Sequence, residues 1–249
     1  MRPGDIVFLS ASVPYREGWT EDARSSEIEE AILCLALAVF RRRGMLLFGG
    51  HPSVSPLVAS VAGEYFPPDP TRTIRPVVTF QSEFYRRDLP DETSLLYRMG
   101  WSSIEWTEEQ FADGKRDKDE SLRLMRECML LGPELSDDVR KRNDMAPPKA
   151  MVAIGGMEGV MDEAVMFLEH AKHWDLQPPP IVYSIPSGGG AAARLLTPSD
   201  ERLSLARKSG HIVDLESLWR SQHAAALPEN LPFVPYASVV QFMLDSLQG

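Results

Sequence analysis

The chain has 249 residues, of which 43% are hydrophobic and 25% are charged, so it is long enough to bury a sizeable core in a single domain. Its formal net charge of −10 excludes the broad basic surface with which proteins bind nucleic acid or anionic membranes. Apolar runs fall well short of the roughly 20 residues of a membrane span, and no leader-like segment precedes the first predicted strand.

The cysteines indicate a reducing compartment. Cys34 and Cys128 both lie in apolar helical stretches, which is typical of reduced core thiols rather than of a disulfide framework or a metal site. We therefore expect a cytoplasmic protein with neither a nucleic-acid nor a membrane partner.

The first part of the chain predicts two strand–helix units. Asp5 to Ser10 is a continuous apolar run, as in a strand that is buried on both faces. From Ser25 to Arg43 apolar residues recur at helical spacing, with glutamates early and arginines late, as the helix dipole favours. Met45 to Phe48 predicts a second strand. Ser55 and Pro56 predict the N-cap and first position of a further helix, which ends near residue 65.

The middle of the chain is less regular. Arg75 to Phe80 predicts a third strand, and a polar stretch from Gln81 to Gly114 follows, in which Ser103 to Trp106 predicts a short strand. Asp117 to Gly132 carries apolar and charged residues on separate faces, which predicts an amphipathic helix. Asp137 to Pro148 is charged and predicts a loop.

The remaining pattern completes an α/β domain. A glycine turn opens a helix that ends near His173, a strand begins at Ile181, and Pro235 to Leu247 predicts a closing helix. Alternating strands and helices predict a Rossmann-like three-layer α/β fold, with a mainly parallel sheet and helices on both faces. We expect one domain over residues 1–249, with its motifs within residues 5–195 and a helical extension over residues 196–249.

Three predicted strands end in glycine-rich turns that lead into a helix. These turns contain Gly49–Gly50, Gly155–Gly156 and Gly188–Gly190. A parallel sheet gathers such turns at the carboxyl ends of its strands, where free backbone N–H groups and helix N-termini bind phosphates. The sequence therefore predicts a nucleotide-binding protein that holds phosphate with amides and a few arginines.

Small polar residues accompany the first strand and the first glycine turn. Ser10, Ala11 and Ser12 fall near the end of the strand, where hydroxyls and exposed amides suit a phosphate or a ribose; ordinary loop polarity also explains them. His51 can donate to a phosphate or a base, and Ser53 can cap the next helix; a loop histidine beside a proline is also commonly structural.

The second glycine turn differs from the others because acidic residues follow it. Glu158 can accept hydrogen bonds from ribose hydroxyls, and Glu163 is the candidate catalytic residue if the protein retains enzymatic activity. Carboxylates in the first turns of a helix also simply favour its dipole. The candidate ligand-binding residues of this segment are Gly155, Gly156, Met157, Glu158 and Gly159.

Arginines and a third glycine turn complete the candidate site. Arg123 and Arg126 share a helical face and can reach a phosphate, or they lie on a solvated surface. Gly188 and Gly189 predict either a third amide-lined wall or close packing at a subunit contact. The Glu169-His170-x-x-His173 sequence offers too few ligands for a metal, so we expect no metal site.

In order and spacing, these motifs resemble the ligand-lining motifs of the SLOG superfamily, over about residues 5 to 195. The superfamily includes the LOG and DprA/Smf proteins, the nucleotide-sensing domain of TRPM channels, and domains linked to sirtuin-type and TIR proteins in bacterial antiphage systems. The Gly-Gly-His-Pro sequence is most similar to the defence-associated branches. The segments that carry the resemblance are Phe8–Ser12, Leu47–Pro56, Ala153–Gly159 and Ser187–Gly190.

The resemblance implies a domain that binds a nucleotide or an NAD derivative, such as ADP-ribose or a cyclic relative, without a further cofactor. Such domains resemble sensors that switch an effector, and this chain has no room for one. The effector is then a separate protein, or the domain was excised from a longer chain. Because homo-oligomers are common in the superfamily, the resemblance also implies a homo-oligomer.

Two other functions stay open. LOG enzymes carry the pattern Pro-Gly-Gly-x-Gly-Thr-x-x-Glu, whose last residue acts in phosphoribohydrolysis, and the resemblance matches that residue to Glu163. Here the proline is missing, one residue is added before Gly159, and Val160 replaces the threonine. These departures favour a sensor over an enzyme. Single-stranded DNA handling, as in the DprA-like members, is disfavoured by the acidic charge.

Overall fold

The computed structural model describes residues 1–130, 146–174, 176, 178–228 and 233–247. The strands are β1 Ile6–Ser12, β2 Met45–Phe48, β3 Val77–Ser82, β4 Ser102–Thr107, β5 Gln110–Ala112, β6 Lys115–Asp117, β7 Ala150–Gly155, β8 Ile181–Ile185 and β9 Ile212–Asp214. The α-helices are α1 Ser25–Arg41, α2 Ser55–Tyr65, α3 Asp91–Arg98, α4 Lys118–Leu130, α5 Glu158–Ala171, α6 Gly190–Arg194, α7 Glu201–Lys208, α8 Leu215–His223 and α9 Tyr236–Ser246. Short 3₁₀ segments span Glu83–Asp88 and Ala224–Ala226.

Seven strands form one sheet in the order β4-β3-β2-β1-β7-β8-β9. All of its strand pairs are parallel, whereas β5 and β6 form a separate antiparallel hairpin. Strands β2, β3 and β4 are added in chain order on one side of β1, and β7, β8 and β9 are added in chain order on the other side. The strand order therefore reverses between β1 and β7, and α/β sheets leave a ligand crevice at the carboxyl ends of such a pair.

Helices pack against both faces of the sheet. Helices α1, α2, α8 and α9 contribute to the core on one face, and α4, α5, α6 and α7 contribute to the core on the other. Side chains of β1 alternate between the two, with Val7 and Leu9 in the first core and Ile6 and Phe8 in the second. Burial on both faces explains why β1 is a continuous apolar run, and the predicted three-layer α/β fold is confirmed.

Several boundaries differ from the predicted ones. Strand β1 continues to Ser12 instead of ending at Ser10, which brings two hydroxyls to its end. The prediction that Ser55 is an N-cap was wrong, because α2 begins at that residue and its buried hydroxyl lies 2.8 Å from the hydroxyl of Thr93. Most of the loop predicted over residues 137–148 lies outside the described residues.

Two short elements were missed where the pattern is weak. Helix α3 lies in the stretch predicted as irregular; its eight residues bury only Thr93 and Leu96, too few to show a helical period. The region predicted as a helical extension also supplies β9, which pairs with β8 and widens the sheet. Among the described residues, no helix has the length and apolar character needed to cross a membrane.

The third glycine turn is a point of close packing between backbone segments. Gly189 has a φ of +75°, and a Cβ at this position would overlap the carbonyl oxygen of Asp22. The Arg24 N–H donates to the Gly188 carbonyl over 3.0 Å, so the loop before α1 is fixed directly on this turn. Only glycine fits both the backbone conformation and the space.

We expect Gly189→Ala to reduce the free energy of unfolding by about 3 kcal/mol or more, because it combines left-handed strain with a collision against backbone. Gly210 is a matched control, since its φ is +81° and an added Cβ meets nothing within 4 Å. Gly210→Ala should cost only about 1 kcal/mol, the price of the conformation itself. Urea denaturation of both variants measures the difference, and equal losses would contradict the packing argument.

Candidate functional site

The reversal of strand order between β1 and β7 defines the candidate crevice, and the Gly155–Gly156 turn lies at its edge. These glycines have φ values of +58° and +83°, and the Gly156 N–H donates to the carbonyl of Ser12 over 2.7 Å. Helix α5 begins directly afterwards, and its N-cap residue, Met157, makes no side-chain cap hydrogen bond. The first-turn amides of α5 are thus left without a side-chain cap at the edge where phosphates bind.

Glu163 lies in the same crevice, bound from both sides. The Ser10 hydroxyl, at the end of β1, donates to Oε2 of Glu163. Arg126 on α4 donates through Nε to Oε1 over 3.3 Å, and its Nη1 lies 3.6 Å from Oδ2 of Asp162. Three elements that are distant in sequence therefore meet at one carboxylate.

Gly159 creates the space for Arg126. A Cβ added at Gly159 would lie 2.6 Å from Nη2 of Arg126, so the guanidinium rests where any other residue would place a side chain. The guanidinium therefore lies against the first turn of α5. A positive group beside an uncapped helix start is suited to an anion.

The Arg126–Glu163 pair is partly shielded from water. The side chains are 19% and 14% exposed, whereas the side chain of Asp162 is 61% exposed. Burial raises the pKa of Glu163 above its ordinary value, although Arg126 and the Ser10 hydroxyl oppose this shift. A carboxyl group with a raised pKa in a crevice is typical of functional sites, and structural ion pairs also perturb pKa values.

The loop after β1 adds residues that the sequence did not single out. Arg16 pairs with Oε2 of Glu158, and the indole N–H of Trp19 donates to Oε1 over 2.9 Å. The Trp19 ring is covered by the guanidinium of Arg194, which lies 3.8 Å from the ring centroid. An irregular loop shows no periodicity that would reveal these contacts, so only the folded chain identifies them.

The first glycine turn is fixed from beneath by β3 and α3. Gln81 donates through Nε2 to the carbonyls of Gly49 and Gly50, over 2.8 and 3.2 Å. Thr93 donates to the Gly50 carbonyl over 3.2 Å. Because Gln81 and Thr93 bind both carbonyls, the backbone of this turn is fixed in position at the carboxyl end of β2.

His51 and Ser53 connect that turn to β1. The Ser53 hydroxyl accepts from the Val13 N–H over 3.0 Å and lies 2.9 Å from Nδ1 of His51. The Ser53 N–H also donates to Nδ1, which assigns the ring proton to Nε2. Burial lowers the pKa of His51, so the neutral imidazole is favoured.

Two groups of predicted residues make other contacts. Arg123 pairs with Glu120 and Glu127 on its own helix, and none of its hydrogen bonds reaches the crevice. Gly188 and Gly189 pack within the subunit against the segment that leads into α1. Their roles in ligand binding stay predictions.

A polar network that the sequence did not reveal surrounds Ser187. Its N–H donates to Glu216 over 2.9 Å, and its hydroxyl lies 2.6 Å from the hydroxyl of Tyr236. Tyr236 in turn donates to Glu27 of α1 over 3.0 Å. Burial raises the pKa of both Glu216 and Tyr236. The network anchors α9 to the third glycine turn.

Within the described ranges, no group of three or more histidine, cysteine, aspartate or glutamate side chains is placed to hold a metal ion. A groove of about 240 Å³ lies between α5 and α7, lined mainly by apolar residues. It lies near the start of β9, at the opposite edge of the sheet from the crevice.

We expect Glu163→Gln to gain stability relative to the parent as the pH rises. The folded-state pKa of Glu163 is raised, so its contribution to stability is fully present below the ordinary glutamate value and is lost as the pH rises through the raised value. Glutamine does not titrate, so the difference in unfolding free energy should move in favour of the variant from about pH 4.5 upward. Urea denaturation across pH 4.5 to 8 checks this.

Asp200→Asn supplies a control of opposite sign. Its hydrogen bond from Arg202 lowers the pKa of Asp200 below the ordinary value of 3.8, so the parent should lose stability relative to this variant as the pH falls below that value. The urea series for this control is therefore extended to more acid pH. If Glu163→Gln showed that same acid-side dependence, the account of a desolvated Glu163 would be wrong.

Comparison with known proteins agrees with the architecture. The sequence model of the SLOG cluster3 family matches residues 18–215, about four-fifths of the chain. A search of curated proteins found no match. The matched segment includes the first glycine turn, Arg126, the Gly155–Gly156 turn and Glu163. The chain belongs to the SLOG cluster3 family.

Proposed function

We propose that this protein binds a small NAD-derived nucleotide, of the ADP-ribose or cyclic ADP-ribose type, in the crevice between β1 and β7. Its membership of a SLOG family supports a nucleotide-related binding or processing domain. The observation that carries the proposal is the guanidinium of Arg126, held over Gly159 at the uncapped start of α5. Amides and a guanidinium that converge on one point are suited to a phosphate group.

The charges of the crevice support a ligand with both phosphate and ribose. Phosphate is favoured at Arg126 and the first turn of α5, since these supply positive charge. Glu158 lies in the same turn but faces the loop after β1, where Arg16 and Trp19 bind it. A carboxylate repels phosphate and accepts hydrogen bonds from ribose hydroxyls, so we assign the ribose to the side of Glu158.

We further propose that binding serves as a signal, in a bacterial antiphage pathway, to a separate effector protein. The resemblance of the Gly-Gly-His-Pro segment to defence-associated members supports this role. A ligand that binds one arrangement of the crevice more tightly shifts the population toward it, and a homo-oligomer would transmit the shift across subunits. No additional cofactor is needed for binding of this kind.

A panel of ligands tests the proposal by thermal unfolding. At 100 times its dissociation constant, a ligand that binds only the folded state adds about 2.7 kcal/mol of stability. For a chain of this size this corresponds to a rise in Tm of about 5 to 10 °C. We expect such a rise with ADP-ribose or cyclic ADP-ribose, and a smaller one with nucleoside monophosphates.

Arg126→Gln should abolish the rise, because it removes the guanidinium at the anion site. Arg202→Gln is the matched control: its side chain is 64% exposed on α7, pairs with Asp200 and Glu169, and should leave the shift unchanged. If no nucleotide of the panel raises Tm, or if both variants respond as the parent does, the proposal is wrong.

The second candidate function is that of a LOG-like phosphoribohydrolase, which cleaves the N-glycosidic bond of a nucleotide. The specific observation in its favour is the position of Glu163, partly buried and hydrogen-bonded to Ser10 and Arg126 despite the added residue before Gly159. A carboxylate in such a position can stabilise an oxocarbenium-like transition state, as carboxylates do in glycoside hydrolysis.

Incubation with nucleoside monophosphates and with NAD separates the two functions. An enzyme releases free base, and Glu163→Gln should lower that release by a factor of about 100 or more, the usual scale for loss of a catalytic acid or base. Chromatography of the products measures it. A parent protein that binds nucleotide and releases no base is a sensor.

A further inference from the structure

We propose that a phosphate-bearing ligand binds at Arg126 together with one proton, which is taken up by Glu163. This inference rests on the proposed function, since it concerns the same crevice. It adds that the phosphate of the ligand replaces the carboxylate of Glu163 as the anion paired with Arg126. Because Glu163 takes up a proton in this exchange, the affinity for the nucleotide depends on pH.

Glu163 supplies the anion that Arg126 requires. Both oxygens of Glu163 accept hydrogen bonds, one from the Ser10 hydroxyl and one from Nε of Arg126 at 3.3 Å. Arg126 favours the ionised form of this carboxyl group, because a guanidinium only donates hydrogen bonds and its positive charge stabilises a carboxylate. Glu163 therefore occupies the position of a counter-ion to Arg126.

The charges around Glu163 do not favour a second anion. Among the described residues, α4 contributes the guanidinium of Arg126, α5 contributes the carboxylate of Asp162 at 3.6 Å from that guanidinium, and β1 contributes only the neutral Ser10 hydroxyl. One positive group thus faces two negative ones. A phosphate that binds Arg126 would add further negative charge, in a place where partial burial weakens solvent screening.

Protonation of Glu163 removes the nearer and less exposed of these two negative charges, and the structure offers the partner that a neutral carboxyl group needs. A hydroxyl can accept as well as donate, so Ser10 can reverse its hydrogen bond and accept the proton of Glu163. Arg126 is then released to the phosphate. Neither side chain has to leave its position for this exchange.

Glu163 is better suited to take up the proton than Asp162. Its side chain is 14% exposed, whereas that of Asp162 is 61% exposed and screened by water. Burial has already raised the pKa of Glu163 in the free protein, and an additional anion shifts it in the same direction. The proton comes from solvent, so ligand binding should become weaker as the pH rises.

ADP-ribose is a suitable probe because its diphosphate bridge lacks the monoester group that titrates near pH 6. Isothermal titration calorimetry of the full chain, in two buffers with different ionisation enthalpies, gives the number of protons taken up. Titrations between pH 5.5 and 8 give the pH dependence. We expect uptake of up to one proton and a fall in affinity of up to tenfold per pH unit.

Glu163→Gln should bind ADP-ribose without proton uptake, with the same affinity across this range and more tightly than the parent at pH 8. Glu169→Gln is the matched control on the same helix, with a side chain that is 50% exposed and paired with Arg202. It should take up protons as the parent does.

The outcomes distinguish the two proposals. Binding of ADP-ribose by the parent without proton uptake, or uptake that persists in Glu163→Gln and disappears in Asp162→Asn, would overturn this inference and leave the proposed function intact. If Glu163→Gln binds ADP-ribose at pH 8 and the parent does not, the inference of proton uptake is supported. If neither protein binds ADP-ribose at any pH tested, the proposed function fails for this ligand and the inference fails with it.

Discussion

The site depends on how closely the backbone after β7 approaches its neighbours. Gly156 donates to the carbonyl of Ser12 over 2.7 Å, and its own carbonyl accepts from the Ala191 N–H over 2.9 Å. A Cβ at Gly190 would lie 2.7 Å from that same carbonyl oxygen. The end of β1, the turn after β7 and the start of α6 are thus joined through one peptide segment. The direction of α5, and with it the position of Glu163, follows from this backbone contact.

Sequence reasoning succeeded where a local pattern reports directly on the environment. The continuous apolar run of β1 predicted a strand buried on both faces, because its alternate side chains enter two different cores. The glycine pair at 155–156 predicted a turn at the carboxyl edge, since positive φ values there require glycine. These local constraints were sufficient to predict the fold class and the edge of the sheet that carries the candidate site.

Contacts between distant segments could not be predicted in the same way. Helical spacing accounts for the pairs of Arg123 with Glu120 and Glu127, which lie on its own helix. Only the folded chain shows that Arg126, on the same helical face, engages Glu163 of another helix. The roles of Arg16 and Trp19 depend on how an irregular loop closes over α5, which no periodicity encodes. Spacing identifies which residues share a helical face, and tertiary packing decides which neighbour each one meets.

The two ion pairs at the start of α5 also have a kinetic consequence. The Arg16–Glu158 pair is about half exposed on both sides, at 51% and 54%, so water and salt compete for it and it opens at little cost. The Arg126–Glu163 pair is less than one-fifth exposed, so water and salt compete for it less. The exposed Arg16–Glu158 pair and the shielded Arg126–Glu163 pair should therefore act on different rate constants. We expect the association rate of a ligand to depend on ionic strength through the exposed pair, and its dissociation rate to be set by the shielded pair.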